Sequence, residues 1–209
     1  MRYIAHRGLS TKHEQNTVEA IQSAIQAGFY GIEIDVQLCK TGEIVLAHDI
    51  YVDGDFISNM TISELRQKGL VTLEDVYSRI PYITDYPLFV DIKGSSMDIV
   101  SALSQFYTTR GSRNVVMCSF NRNILYALPT HFKKGTTFEV RFHHTEYEFV
   151  TRGVSHVLVH WTCLDHNFIR YCTFKDIQVL TYTHKNECDL EHISKFNVYG
   201  IITDCDISS

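Results

Sequence analysis

The sequence is short of several things, and each shortage removes a class of function. Proline is scarce, three in 209 residues, and no Pro/Gly/Ser-rich linker or low-complexity stretch divides the chain. No apolar run approaches the roughly 20 residues that span a bilayer, so stable membrane insertion is not expected. The first residues, Met1-Arg2-Tyr3-Ile4-Ala5-His6-Arg7, hold neither a long apolar stretch nor a small-residue cleavage site, and the expected location is cytoplasmic. A basic tract is missing too. With a formal charge of −5, nucleic acid is not an expected partner, nor is a constitutive grip on an anionic membrane. None of the six cysteines is in CxxC spacing, which argues against a zinc or thioredoxin-like motif. Several lie in apolar strand-like runs and read as buried, reduced thiols.

What is present is an ordinary globular composition, 44% hydrophobic and 21% charged, enough for a sizeable core in one domain, residues 1–209. Short β-rich runs alternate with helical patterns. Tyr3–Ala5, Gly31–Leu38, Leu88–Lys93, Val115–Phe120, Thr136–Phe142, Val157–Trp161, Val179–Thr183 and Gly200–Thr203 read as strands. Glu43–His48 reads as a hairpin extension after the second of them. Helices are expected over Asn16–Ala27, Thr61–Lys68, Thr72–Ile80 and Met97–Thr109, and near 123–132, 145–152, 166–174 and 188–196. Asn16 with Glu19 forms a candidate capping box, and Gly28 a stop. Regular βα alternation predicts an α/β fold, a compact (β/α)8 TIM barrel. A doubly wound open sheet competes, but no G-x-G-x-x-G follows the first strand.

The chemistry concentrates at strand ends. In Gly31-Ile32-Glu33-Ile34-Asp35-Val36 a strand period of two puts Glu33 and Asp35 on one face. The bland alternative is a strand with a polar solvent face. In a barrel both faces are buried, so two inward carboxylates would repel one another unless a hard divalent cation, Mg2+ or Ca2+, resolves the cost. Phe89-Val90-Asp91-Ile92-Lys93 repeats the pattern, with Asp91 a candidate third ligand and Lys93 a phosphate contact, or the two a simple buried pair. His6 and His48 end strand runs and suit acid/base chemistry. Arg7 offers a planar fork for phosphate.

The string His6-Arg7-Gly8, Glu14-x-Asn16-Thr17, Glu33-x-Asp35, His48-Asp49 resembles the signature of the glycerophosphodiester phosphodiesterase family. Asp91-Ile92-Lys93, Ser119-Phe120 and Gly200-Ile201-Ile202-Thr203-Asp204 resemble its later strands, so the likeness covers nearly the whole chain. The resemblance implies a TIM barrel in which Glu33, Asp35 and Asp91 bind the cation. It also implies His6 and His48 as the acid/base pair, Arg7 and Lys93 as the phosphate grip, and Glu14 and Asn16 as supports. The implied reaction is hydrolysis of a small-molecule glycerophosphodiester to glycerol 3-phosphate and an alcohol. Three features depart from the family pattern: Asp91 replaces the usual Glu, the segment Asp49–Val71 is short, and Tyr182-Thr183 stands where Trp-Thr is common. The first departure also resembles phospholipase D toxins of the related barrel, so a lyase that forms a cyclic phosphate is one rival. A non-catalytic phosphodiester-binding barrel is the other. The headgroup and the oligomeric state are left open by the sequence.

Overall fold

The structure, a computed structural model, describes residues 1–207. Residues 208 and 209, the end of the expected single domain, lie outside the described ones. The chain opens with β1 (Tyr3–His6), α1 (Val18–Gln26), β2 (Gly31–Leu38) and β3 (Ile44–Leu46). A small hairpin, β4 (Tyr51–Val52) and β5 (Asp55–Phe56), precedes α2 (Ile62–Gln67) and α3 (Leu73–Arg79). From there strands and helices alternate: β6 (Leu88–Ile92), α4 (Asp98–Arg110), β7 (Val115–Ser119), α5 (Arg122–Ala127), β8 (Lys133–Phe138) and α6 (Tyr147–Val150). The series ends with β9 (His156–His160), α7 (His166–Phe174), β10 (Gln178–His184), α8 (Glu187–Ile193) and β11 (Gly200–Thr203).

Eight parallel strands run β1-β2-β6-β7-β8-β9-β10-β11, and β11 pairs back onto β1, which closes a (β/α)8 barrel. β3 pairs antiparallel with β2 as the hairpin extension. No helix among the described residues is long and apolar enough to cross a membrane. All six cysteines are free thiols, with Cys39, Cys118 and Cys172 buried.

Local chemistry accounts for most boundaries. Thr61 and Thr72 cap α2 and α3, and each makes a reciprocal box with the residue three places on, Glu64 and Asp75. At α1 the cap is Thr17, whose hydroxyl accepts from the Ala20 N–H, and not Asn16. The expected box fails because Asn16 has φ +57° and spends its amide on β2, while Glu19 pairs with Arg79 of α3 at 2.5 Å. β8 begins three residues earlier than its sequence pattern suggests. Lys133-Lys134-Gly135 looks like a turn, but a Cβ at Gly135 would stand 3.0 Å from both Cys118 Sγ and Leu158 Cδ1. The glycine is thus a close-packing requirement inside the ring. The helix expected near 145–152 is a single α turn after a 3-10 turn at His144–Glu146.

Inside the ring, the residues Ile4, Phe89, Val116, Cys118, Leu158, Leu180 and Ile202 form one buried apolar cluster, the barrel floor. Successive inward side chains of a strand are two residues apart. Two residues beyond six of these floor positions stand His6, Asp91, Phe120, His160, Tyr182 and Asp204. The strand period alone therefore lays a polar and aromatic layer over the floor, at the C-terminal mouth.

Candidate active site

The mouth holds a cavity of about 530 Å³ whose walls include His6, Arg7, Glu33, Asp35, His48, Asp91 and Lys93. Asp35 and Asp91 are direct partners across the β2–β6 ladder. One carboxylate oxygen from each of Glu33, Asp35 and Asp91 lies within 4.8 Å of the others, and the three residues are at most 5% exposed. Two cations brace them. Lys93 Nζ is 2.5 Å from Asp91 Oδ2 and 3.0 Å from Asp35 Oδ1, and Arg7 Nε is 2.9 Å from Asp35 Oδ2.

The braces are unevenly shared. Burial raises the Glu33 carboxyl well above the usual carboxylate range, with Asp35 and Asp91 adding to the rise. Burial also raises Asp91 against the pull of Lys93. At Asp35 burial acts the same way, but Lys93, Arg7 and the Asn16 amide outweigh it and hold the group below its usual value. Lys93, desolvated but flanked by Asp91 and Asp35, is held above its own. Asp91 Oδ1 is buried with no hydrogen-bond partner, an arrangement that costs free energy unless something accepts its lone pairs.

β1 and the turn after it supply the next group. His6 Nδ1 is 2.6 Å from Asp204 Oδ1, just past β11, and His6 Nε2 is 4.0 Å from Glu33 Oε2. The ring is thereby oriented, with Nε2 facing the carboxylates. At Asp204 burial opposes ionisation, yet the hydrogen bond and charge of His6 hold its carboxyl below the usual value. Arg7 turns the chain with φ +59°, and its backbone N–H donates to Glu33 Oε2 at 3.2 Å. Gly8 must follow, because a Cβ there would stand 2.6 Å from the Ala20 carbonyl carbon and φ is +82°. Asn16, 5% exposed, donates to Asp35 Oδ2 at 2.9 Å and accepts from the Asp35 N–H at 3.1 Å.

His48 follows β3 and is the more exposed histidine, 42% against 16% for His6. Its Nδ1 is 2.8 Å from Asp49 Oδ1. Buried Gln37 of β2 donates to the carbonyls of Ala47 and Asp49 at 2.9 and 2.6 Å, which holds this loop at the mouth. Glu14 stands apart from the cavity. It is exposed, its carbonyl accepts from Thr17 Oγ1, and among the described residues its carboxylate makes no hydrogen bond or ion pair. Neighbouring Gln15 instead meets Arg7 Nη1 at 2.7 Å.

Sequence reasoning alone passed over Asp204 as a partner for His6, Gln37 and Gln15 as braces, and the opposite wall of Glu139, His160 and Trp161. Asp204 had a legible signal, since it is two residues past the inward Ile202. The braces had none, because a glutamine's target depends on which loop the fold brings near.

A family model described as the glycerophosphoryl diester phosphodiesterase family matches residues 6–205. The chain is 25% identical to a glycerophosphodiester phosphodiesterase of Caldanaerobacter subterraneus subsp. tengcongensis, over 96% of this chain and 93% of that one. It is similar to the crystal structure of a glycerophosphodiester phosphodiesterase from Thermotoga maritima, with a TM-score of 0.82, 24% identity and coverage of 97% and 93%. A phosphodiesterase of Oleispira antarctica, solved with the product sn-glycerol-3-phosphate, gives a TM-score of 0.86 at 20% identity, with 99% and 94% covered. These two structural likenesses speak to the fold.

Proposed function

The chain belongs to the glycerophosphoryl diester phosphodiesterase family, and on that basis we propose that it hydrolyses small glycerophosphodiesters to glycerol 3-phosphate and an alcohol. The observation that carries this reading is the meeting, at one barrel mouth, of a buried carboxylate triad, two cations and two histidines.

The donor set fits a hard divalent cation. Three carboxylates converge, and Asp91 Oδ1 lacks a partner. Charge points the same way. With all three carboxylates ionised, Glu33, Asp35 and Asp91 outnumber Arg7 and Lys93, a surplus of negative charge that repels a phosphodiester. A bound Mg2+ or Ca2+ would offset that surplus and favour the anionic substrate. Glu33, Asp35 and Asp91 would hold the ion, and its chemistry there is Lewis-acid polarisation of a phosphoryl oxygen.

The remaining work falls to the protein's own groups. Arg7 and Lys93 orient the phosphoryl oxygens and stabilise the charge that builds on them. In direct hydrolysis, neutral His6, tethered through Nδ1 to Asp204, takes a proton of the attacking water on Nε2 as the water oxygen bonds to phosphorus. His48, protonated and tethered through Nδ1 to Asp49, gives a proton to the departing alkoxide as its bond to phosphorus breaks. One proton is taken and one given, so the pair ends exchanged and resets through solvent. Asn16 keeps Asp35 oriented.

The test is a product assay by phosphorus NMR with glycerophosphodiesters, in EDTA and then with Mg2+ or Ca2+ restored. Glycerol 3-phosphate that forms only with metal is the expected result. His6→Ala and His48→Ala should each lower turnover roughly 100-fold or more. Undiminished activity in EDTA removes the cation from the scheme, and a cyclic phosphate as final product from lysophospholipid alone makes the protein a lyase.

A further inference from the structure

The mouth has a second wall that the reaction above leaves unused. Counting around the ring, β9 and β10 lie opposite β2 and β6 and face the carboxylates across the barrel, with β8 beside them and β7 next to β6. Their upper ends are aromatic. His160 and Trp161 stack with centroids 5.8 Å apart, Tyr182 meets His160 edge-on at 5.6 Å, and Phe120 meets Tyr182 edge-on at 6.4 Å. All four rings line the cavity, and Phe120 is 50% exposed. A wall of this kind, left open, costs apolar hydration unless a ligand covers it.

One charged group stands in that wall. Glu139 lines the cavity one residue past β8, and Tyr182 Oη donates to it at 3.4 Å. Among the described residues it has no ion-pair partner. The cations of the mouth make no ion pair with Glu139, and one of them, Lys93, already sits over the Phe120 ring at 5.9 Å. Arg7 and Lys93 brace the triad, and the ammonium of Lys185 points to Asp204 at 4.0 Å. An unneutralised carboxylate among π-faces disfavours an acyl chain and an anionic headgroup alike. It favours a soft cation, which gains from the ring quadrupoles and from the carboxylate together.

We propose that Glu139, His160, Trp161 and Tyr182 form a subsite for a quaternary alkylammonium group. The preferred leaving alcohol is then choline-like, with its phosphate on the triad side and its cation on the aromatic side. The substrate half of this proposal rests on the hydrolase reading, whereas the binding half does not.

Trp161 is the chain's sole tryptophan, so its fluorescence reports the subsite without metal or turnover. Metal-free protein is titrated with choline and with its uncharged carbon isostere, dimethylbutanol. Choline should give a saturable change with an affinity about tenfold or more above the isostere, and Glu139→Gln should remove most of that advantage. Glu139 is exposed, so the variant keeps the fold. Equal affinities, or no response to choline, overturn the subsite. A turnover arm compares kcat/KM for glycerophosphocholine and glycerophosphoglycerol. The expected preference is about tenfold, and it should fall toward unity in Glu139→Gln. A wild-type ratio near unity overturns the substrate assignment. A choline response in a protein that hydrolyses neither ester refutes the hydrolase reading and leaves the subsite standing.

Discussion

Replacing Asp204 by asparagine tests whether the last strand acts on the reaction through the first. The contact is His6 Nδ1 to Asp204 Oδ1 at 2.6 Å. When His6 takes its proton, the ring becomes a cation, and the carboxylate stabilises it as a charge-assisted partner. Such a bond is worth about 1.5–3 kcal/mol, against about 0.5–1.5 kcal/mol for a neutral one. The carboxylate is 31% exposed, and solvent screening cuts the difference to roughly 1 kcal/mol. A loss of kcat of about fivefold to tenfold is therefore expected from the charge alone. The amide adds to this wherever its NH2 donates to Nδ1 and leaves the proton on Nε2, the wrong tautomer for a base. The assay is steady-state turnover of Asp204→Asn in two backgrounds, wild type and His6→Ala. Acting through His6, Asp204→Asn should cost activity in the first and almost none in the second. An equal loss in both refutes the coupling and reduces Asp204 to a barrel-closing residue.

Two further outcomes bear on the scaffold. Asn16→Ala removes two hydrogen bonds to Asp35 and places alanine at φ +57°. Together these should cost about 2–4 kcal/mol of unfolding free energy in a denaturant titration, and a change under about 1 kcal/mol would contradict the role given to Asn16. His156, near the barrel floor, has its pKa pushed down to about 4 by burial and by Lys133. Its folded value lies below the unfolded one, so this contribution is whole above about pH 6.5 and lost as pH falls toward 4. The loss is about 3 kcal/mol in total, and it then levels off. The stability difference between wild type and His156→Gln should shift across that window, and a difference independent of pH would show that His156 does not titrate there.

Much of the architecture was legible in the residues because the strand period makes it so. Glu33 with Asp35, and Asp91 with Lys93, announced inward faces, and each pair is where a two-residue step puts it. Helix starts were legible at Thr61 and Thr72, where the capping side chains are local. The failures arose where a distant partner outbid a local rule. Asn16 is a good cap by type, but the Asp35 backbone and carboxylate, nineteen residues on, claim its amide. Gly135 is a breaker by type, and only the approach of Cys118 and Leu158 explains it as strand. The aromatic wall was invisible for a third reason. His160 ends β9, Trp161 follows it and Tyr182 lies near the end of β10, and the predicted strand order makes those strands neighbours without saying which of their end residues turn into the cavity.

The pairing of His6 with Asp204 joins positions 198 apart, and it lies beside the seam where β11 meets β1. Every other contact of the ring joins consecutive barrel strands, so this seam closes the longest loop and is the costliest in loop entropy. During synthesis the carboxylates of β2 and β6 emerge early, while the group that aims the proposed base emerges last. A nascent or truncated chain that lacks β11 thus carries the pieces of the centre without its alignment. Alignment of the proposed base and completion of the barrel become one event.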